Sequence, residues 1–409
     1  MIELDKYGWD GCSIPPTLEG FFDRLPTWKN LRVLRPPETH GSRSIQFPWT
    51  PMHRKDGTSY LPGFQIGEKL AEGSYGEIFK AQRAVYLQHQ ADRYARQGEF
   101  EEIVIKQNVV ELTEEELLQP AEIQKRLYEE EIQASLFEAT LHAIVYETLE
   151  GHGFGGAVPK LYEVVAVSPT RSPPTPSDIQ AILIPMEFVE GQTLYTYFES
   201  QFPESDLPKQ RKANDRLLMD ILIQLCMYLD ILQTDLRFNH RDLKVNNVIR
   251  RNHPEGWSRI LTHASLSRPW LCMNDVVLID FGFSCIACGE TNRSSLIQAG
   301  SWFRQRDDCM KRGRDIALFL YCLHSCFPLR GRISEKLWEC LKTAMCATWE
   351  STTVSLLEEG VNSRGMPTGV TGPYEFDTGI YRFMRFNTVQ IPKCEPKVLL
   401  ASLDALRKN

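Results

Sequence analysis

His240-Arg-Asp-Leu-Lys-Val-Asn-Asn247 is the stretch on which the reading of this chain turns. It follows a helical pattern in which Leu217, Leu218, Ile221, Leu222, Leu225, Leu229 and Leu232 recur, with Asn214 or Asp215 as the expected cap. A polar turn after a helix explains the polarity of the stretch but not its order of residue types. Asp242 can accept the proton of an attacking hydroxyl, Lys244 can neutralise a transferring phosphoryl group, and Asn247 can ligate Mg2+. Further on stands Leu278-Ile-Asp-Phe-Gly282. An apolar strand there leads into Asp280, a second oxygen ligand for Mg2+, with Phe281 to pack beneath it and Gly282 to let the chain turn.

Upstream, Leu70-Ala-Glu-Gly-Ser-Tyr-Gly-Glu-Ile78 sits between two strand-like segments, Phe64–Leu70 and Glu77–Ala81. Gly73 and Gly76 let the backbone approach phosphate oxygens with no Cβ in the way, although a loop of this kind is more often a tight hairpin. Val104-Ile-Lys106 ends a short apolar strand. A strand-end lysine gains meaning when a carboxylate from a following helix meets it; Glu131 is the expected partner and Glu130 the competing one. One or two helices are expected over Glu114–Leu149, and an inserted helix or long turn over Arg83–Gly98.

In this order the four constellations resemble the eukaryotic protein kinase family, over roughly Phe64 to Leu323. The resemblance implies an α+β, two-lobe protein-kinase-like fold with a strand-rich N-lobe, a helical C-lobe, and ATP and Mg2+ at the hinge. It implies nucleotide contacts from Ala71, Gly73, Ser74, Tyr75, Gly76, Ile78 and Lys106. Met186 would lie at the back of the adenine pocket, and Glu187-Phe-Val189 would form the hinge. Asp242, Lys244 and Lys106 take the catalytic roles, and Asn247 and Asp280 hold the metal. Lys244, two places after Asp242, is similar to the serine/threonine-specific pattern. Asp315, in Gly313-Arg-Asp-Ile-Ala317, looks like the buried carboxylate that braces the catalytic loop. Arg241 is expected either to meet a phosphorylated segment carrying Thr291, Ser294 and Ser295 or to pair with a local carboxylate. No Ala-Pro-Glu follows Asp-Phe-Gly, and Gly300-Ser-Trp-Phe-Arg304 occupies that region. The insertions resemble divergent kinases, including haspin-like ones and those of large DNA viruses.

The flanks set the organisation. Residues 1–62 hold eight of the 24 prolines and three of the eight tryptophans, Trp9, Trp28 and Trp49. Proline at that density prevents long helices, so an extension packed on the main body is expected, with a docking arm for a partner as the second reading. Residues 63–189 form the expected N-lobe and 190–409 the C-lobe. A buried helix is expected over Ile316–Leu323, a further helix over Ile333–Trp349 and a short terminal one over Val398–Leu406. A net charge of −7 argues against a surface devoted to nucleic acid. The most apolar stretch, Leu217–Leu232, is broken by Asp220 and Asp230, so no membrane partner is expected. Eleven cysteines, mostly in apolar helical patterns, fit free thiols, and the pair Cys285 and Cys288 is too little for a zinc site. The basic cluster of Arg304, Arg306, Lys311, Arg312 and Arg314 reads as solvated surface, with a preference for acidic or phosphorylated substrates as the second reading. An intracellular place is expected, cytoplasmic or nuclear, or a host cell or virion for a viral chain. The rival readings are a pseudokinase scaffold that binds nucleotide or partners without transfer, and a small-molecule kinase on a related fold.

Overall fold

The structure, a computed structural model, describes residues 32–34, 52–53, 59–73, 76–90, 93–170, 175–287, 296–298, 310–346 and 391–407. Trp9, Trp28, Trp49, Ser74, Tyr75, Thr291, Ser294, Ser295 and Gly300–Arg304 lie outside them.

The N-lobe is one sheet of seven strands: β1 (Arg32–Leu34), β2 (Met52–His53), β3 (Ser59–Gly73), β4 (Gly76–Gln90), β5 (Arg93–Val109), β6 (Val165–Val167) and β7 (Ala181–Glu187). Their spatial order is β1-β6-β7-β5-β4-β3-β2. Between β5 and β6 run a short helix, α1 (Glu114–Leu117), and a long one, α2 (Ala121–Gly151). Thr113 and Glu116 start α1 with a capping box.

The period of two along the strands divides the lobe into two cores. Ile103 and Ile105 face one side with Leu34, Phe64, Val165 and Leu183. Ile182 and Ile184 face the other, against Ile132, Leu136 and Ala139 of α2. Lys106 and Asn108 pair with Ile184 and Ile182 and share that helix-facing side. Each fully buried aliphatic side chain here contributes about 1.5–3 kcal/mol.

Two expectations change. The described residues of Arg83–Gly98, 83–90 and 93–98, form no helix; they are the outer halves of β4 and β5, with Val85 opposite Gln97 and Leu87 opposite Ala95. Their Ala, Gln and Arg favour a helix weakly, and pairing that continues an existing sheet outweighs the preference. The proline-rich segment is also partly sheet. β1 pairs in parallel with β6, Val33 and Leu34 are buried, and Leu34 O accepts from Ser168 N at 3.0 Å. β3 runs unbroken from 59 to 73, so the expected division at 62/63 falls inside a strand.

The C-lobe opens with β8 (Gly191–Thr193), α3 (Leu194–Gln201), α4 (Pro208–Leu236) and β9 (Phe238–Asn239). Six short strands follow: β10 (Val248–Arg251), β11 (Arg259–Leu261), β12 (Trp270–Cys272), β13 (Asp275–Leu278), β14 (Cys285–Ala287) and β15 (Leu296–Gln298). Helices α5 (Arg314–Cys326), α6 (Glu335–Cys346) and α7 (Pro396–Leu406) complete it. The insertion containing Trp270 is the β11–β12 hairpin. α4 starts at Pro208, ahead of the expected cap, because proline suits the first helical turn. Asn214 lies inside the helix instead, donating to Pro203 O at 2.9 Å and Arg332 O at 2.7 Å. By length and composition α4 passes for a membrane span, yet most of it is buried as the core of this lobe. Its fully buried Asp220 accepts from Trp270 Nε1 at 2.7 Å and Met273 N at 3.0 Å.

Lys311 and Arg314 are buried, against the expectation of solvated surface, whereas Arg312 is exposed and pairs with Glu395 at 3.5 Å. Cys226, Cys272, Cys322, Cys326, Cys340 and Cys394 are free, whereas Cys285 is disulfide-bonded, against the expectation of free thiols.

Candidate active site

Lys106 joins the two lobes. Its Nζ donates to Glu138 Oε1 at 2.5 Å and to Asp280 Oδ1 at 3.0 Å. Lys106 and Glu138 side chains are about nine-tenths buried, while Asp280 keeps 37% of its side chain exposed. Burial opposes the ammonium charge, but Asp280 and Glu138 overcome it and hold Lys106 above the usual lysine range. Burial likewise pushes Asp280 upward. Lys106, with help from His240 and Lys244, brings it down to about 2.

The helix partner of Lys106 is therefore Glu138, not Glu131 and not Glu130. Glu131 precedes Glu138 by seven residues, two turns along nearly the same stripe, and so sits about 10 Å away along the axis. Lysine cannot reach both. Glu131 is exposed, and Glu130 pairs with Arg126 at 3.6 Å on the surface. A signal for Glu138 is present in the chain: it is the acid embedded in the inward stripe of Ser135, His142 and Val145, where an unpaired carboxylate is costly.

Pairing across the sheet sets one row of the residues expected to meet the nucleotide. Ala71 lies opposite Ile78, Ile78 opposite Lys106, and Lys106 opposite Ile184. Met186 pairs with Val104, two residues before Lys106 and on the same face. Gly73 and Gly76 close the β3–β4 hairpin as a pair. A Cβ on Gly76 would come within 2.5 Å of Gln107 O and 2.7 Å of Asn108 Oδ1. The first demand for glycine at 76 thus comes from the adjacent strand. Gly76→Ala is expected to destabilise the fold by about 1–3 kcal/mol in urea unfolding.

The segment expected to form the hinge is held from the second half of the chain. Glu187 accepts from Arg251 Nη1 at 2.9 Å and from Lys160 N at 3.1 Å. Arg251 Nη2 also donates to Gly156 O at 2.9 Å. Val189 beyond it is buried.

On the C-lobe side, Asp242 Oδ2 accepts from Asn247 Nδ2 at 2.8 Å and faces Lys244 Nζ at 3.2 Å. Asn247 Nδ2 also donates to Asp242 O at 2.9 Å. Asp315, fully buried in the first turn of α5, accepts from His240 N and Arg241 N at 2.9 Å and from Asn239 Nδ2 at 3.0 Å. This anchors a strained segment, because Arg241 has φ 65° and Asp280 φ 64°, in the left-handed region. β10 pairs with β13, placing Val248 opposite Leu278, and Ile279 N donates to Asn247 O at 3.1 Å. Asn247 and Asp280 are so delivered to the same end of one ladder.

Asn247 and Asp280 fit a hard divalent cation. Asn247 spends its nitrogen on Asp242, which leaves its oxygen; Lys106 occupies one oxygen of Asp280, which leaves the other. Few protein oxygens, completed by phosphate and water, is the donor set Mg2+ prefers.

Phe281 is buried beneath the site, its ring 4.9 Å from that of His142 and 5.3 Å from that of His240. His142 Nε2 donates to Pro159 O at 2.7 Å, and burial brings its pKa down to about 4, with Lys106 adding to the effect. The unfolded chain takes up that proton near pH 6.5 and the folded chain only near 4. Stability therefore falls as pH drops across this window, by up to about 3 kcal/mol from His142. Urea unfolding between pH 4 and 7 should show the slope, and His142→Leu should reduce it by about 1.4 kcal/mol per pH unit.

No family model matches the sequence, and no curated protein matches it. Among solved structures the chain is similar to the autoinhibited serine kinase domain of the giant muscle protein titin, at 10% identity and a TM-score of 0.34, covering 83% of this chain and 87% of that one. It is also similar to a twitchin kinase fragment of C. elegans with autoregulated protein kinase and immunoglobulin domains, at 13% identity and a TM-score of 0.31. That match covers 54% of this chain, which spans only a third (33%) of the twitchin fragment. Likeness of this degree carries no argument about activity. In the chain's own structure a seven-stranded sheet and a mainly helical second half meet at Lys106, Glu138 and Asp280, the two-part α+β arrangement expected from the sequence.

Proposed function

We propose that this chain is an ATP- and Mg2+-dependent protein kinase that transfers the γ-phosphoryl group to serine or threonine hydroxyls of protein substrates. The observation that supports it best is the coincidence, at one cleft, of the Lys106–Glu138–Asp280 chain of contacts with the Asp242, Lys244 and Asn247 cluster. In this reading Lys106 binds the α- and β-phosphates, and Ala71, Ile78, Met186 and the hinge backbone of Glu187 and Val189 hold the nucleotide base. Asp242 accepts the hydroxyl proton, and Lys244 offsets charge on the phosphoryl oxygens. Mg2+, held by Asn247 and Asp280, supplies charge neutralisation at the phosphates when bound. Most of the rate then comes from positioning.

The proposed partners are intracellular protein substrates, with neither membrane nor nucleic acid. Transfer of label from γ-labelled ATP into a serine/threonine peptide library, abolished by EDTA, is the expected result. Absence of transfer to peptides and to the chain itself would favour the scaffold reading. Label in alcohols or aminoglycosides but not in peptides would favour a small-molecule kinase.

A further inference from the structure

Asn108 lies two residues beyond Lys106 on the same face of β5 and is buried, with 6% of its surface exposed. Its Nδ2 donates to Ser135 Oγ at 3.1 Å and to Glu138 Oε2 at 3.4 Å. A carboxylate only accepts hydrogen bonds, so the amide nitrogen has to face Glu138 and the oxygen has to face away. That oxygen has no hydrogen-bond partner and lies against Gly76 of the phosphate-loop hairpin. Ser135 in turn donates to Glu131 O at 3.4 Å, so its hydroxyl serves both helix and strand.

Ser135 and Glu138 are neighbours on one face of α2, and Lys106 and Asn108 are neighbours on one face of β5. A single Lys106–Glu138 contact is a pivot about which a helix can turn. A second contact one strand repeat away removes that rotation. Glu138 is also gripped on both oxygens, Oε1 by Lys106 and Oε2 by Asn108.

We propose that Asn108 is a positioning residue: with Ser135 it clamps α2 to β5, so that Glu138 stays on Lys106 while the glycine hairpin rests against the same side chain. This rests on the kinase reading for its catalytic consequence, though not for the clamp itself. Asn108→Leu keeps the branching and the number of side-chain heavy atoms, is somewhat bulkier, and removes both donors. Asn108→Asp keeps the shape and sets a second carboxylate beside Glu138, where the two repel at neutral pH and one takes up a proton as pH falls.

The experiment measures transfer from Mg·ATP and hydrogen exchange across α2 in the full chain, for wild type, both variants and Ser135→Ala. In Asn108→Leu, kcat/KM for Mg·ATP should fall about tenfold at all pH values, with KM for the peptide unchanged. Asn108→Asp should be at least as impaired at neutral pH. Relative to wild type it should recover on acidification, since a protonated Asp can donate to Glu138 as the amide does. Exchange across α2 should rise in Asn108→Leu and Ser135→Ala. Unchanged exchange in both would overturn the clamp, whether or not any transfer occurs. Raised exchange with wild-type kcat/KM would overturn the positioning role. A wild type that transfers nothing would sink the kinase reading, while exchange still decides the clamp.

Discussion

Asp242→Asn is expected to lower kcat for peptide phosphorylation by about 10²–10⁴ while leaving Mg·ATP affinity near the wild-type value. The substitution changes one atom type and little shape. The introduced amide could still turn its oxygen toward Asn247 Nδ2 and Lys244 Nζ, the two groups that Asp242 Oδ2 faces. The loss of charge on those bonds should cost only about 1 kcal/mol of stability. What disappears is the base. In the proposed reading the nucleotide contacts come from Lys106 and the other lobe, so binding by calorimetry should be spared. A variant that transfers phosphate at the wild-type rate would remove Asp242 from the chemistry.

The second large effect separates two glutamates on one helix. Glu138→Ala leaves Lys106 buried with only Asp280 to balance it, and should cost about 3 kcal/mol, the low end for breaking a buried pair, because one partner remains. Misplacement of the ammonium should lower kcat/KM for Mg·ATP by about 100-fold. Glu131→Ala removes an exposed side chain and should change stability by no more than about 0.5 kcal/mol. Thermal unfolding and steady-state kinetics on the two variants check both halves. The opposite ranking, with Glu131→Ala the more damaging, would place α2 two turns out of register with β5.

The contrast between these glutamates shows what a linear chain reveals. Asp242, Lys244 and Asn247 are legible as a cluster because a single short segment, 240–247, carries all three and its local turns bring them together. The Asp315 brace is readable from its place at the start of an apolar helix, and its three donors all come from 239–241. Glu138 escapes such a reading because the register between a strand and a helix depends on how the intervening chain packs. Periodicity gives the stripe but not which turn faces Lys106. Arg83–Gly98 misleads for a related reason: its composition leans to helix, and only the growing sheet, a non-local partner, decides for strand. Asn108 gives no signal at all. A polar residue near a strand end ordinarily reads as the edge of the strand, and its partners Ser135 and Glu138 come from another element.

The central claim is that Lys106, Asp242, Asn247 and Asp280 serve one nucleotide in one cleft. Its most direct test is the fate of γ-labelled phosphate when the purified chain meets Mg·ATP and a serine/threonine peptide. The account predicts label on peptide hydroxyls that requires Mg2+ and vanishes in Asp242→Asn. Full labelling in Asp242→Asn, or none in wild type despite bound Mg·ATP, would contradict it.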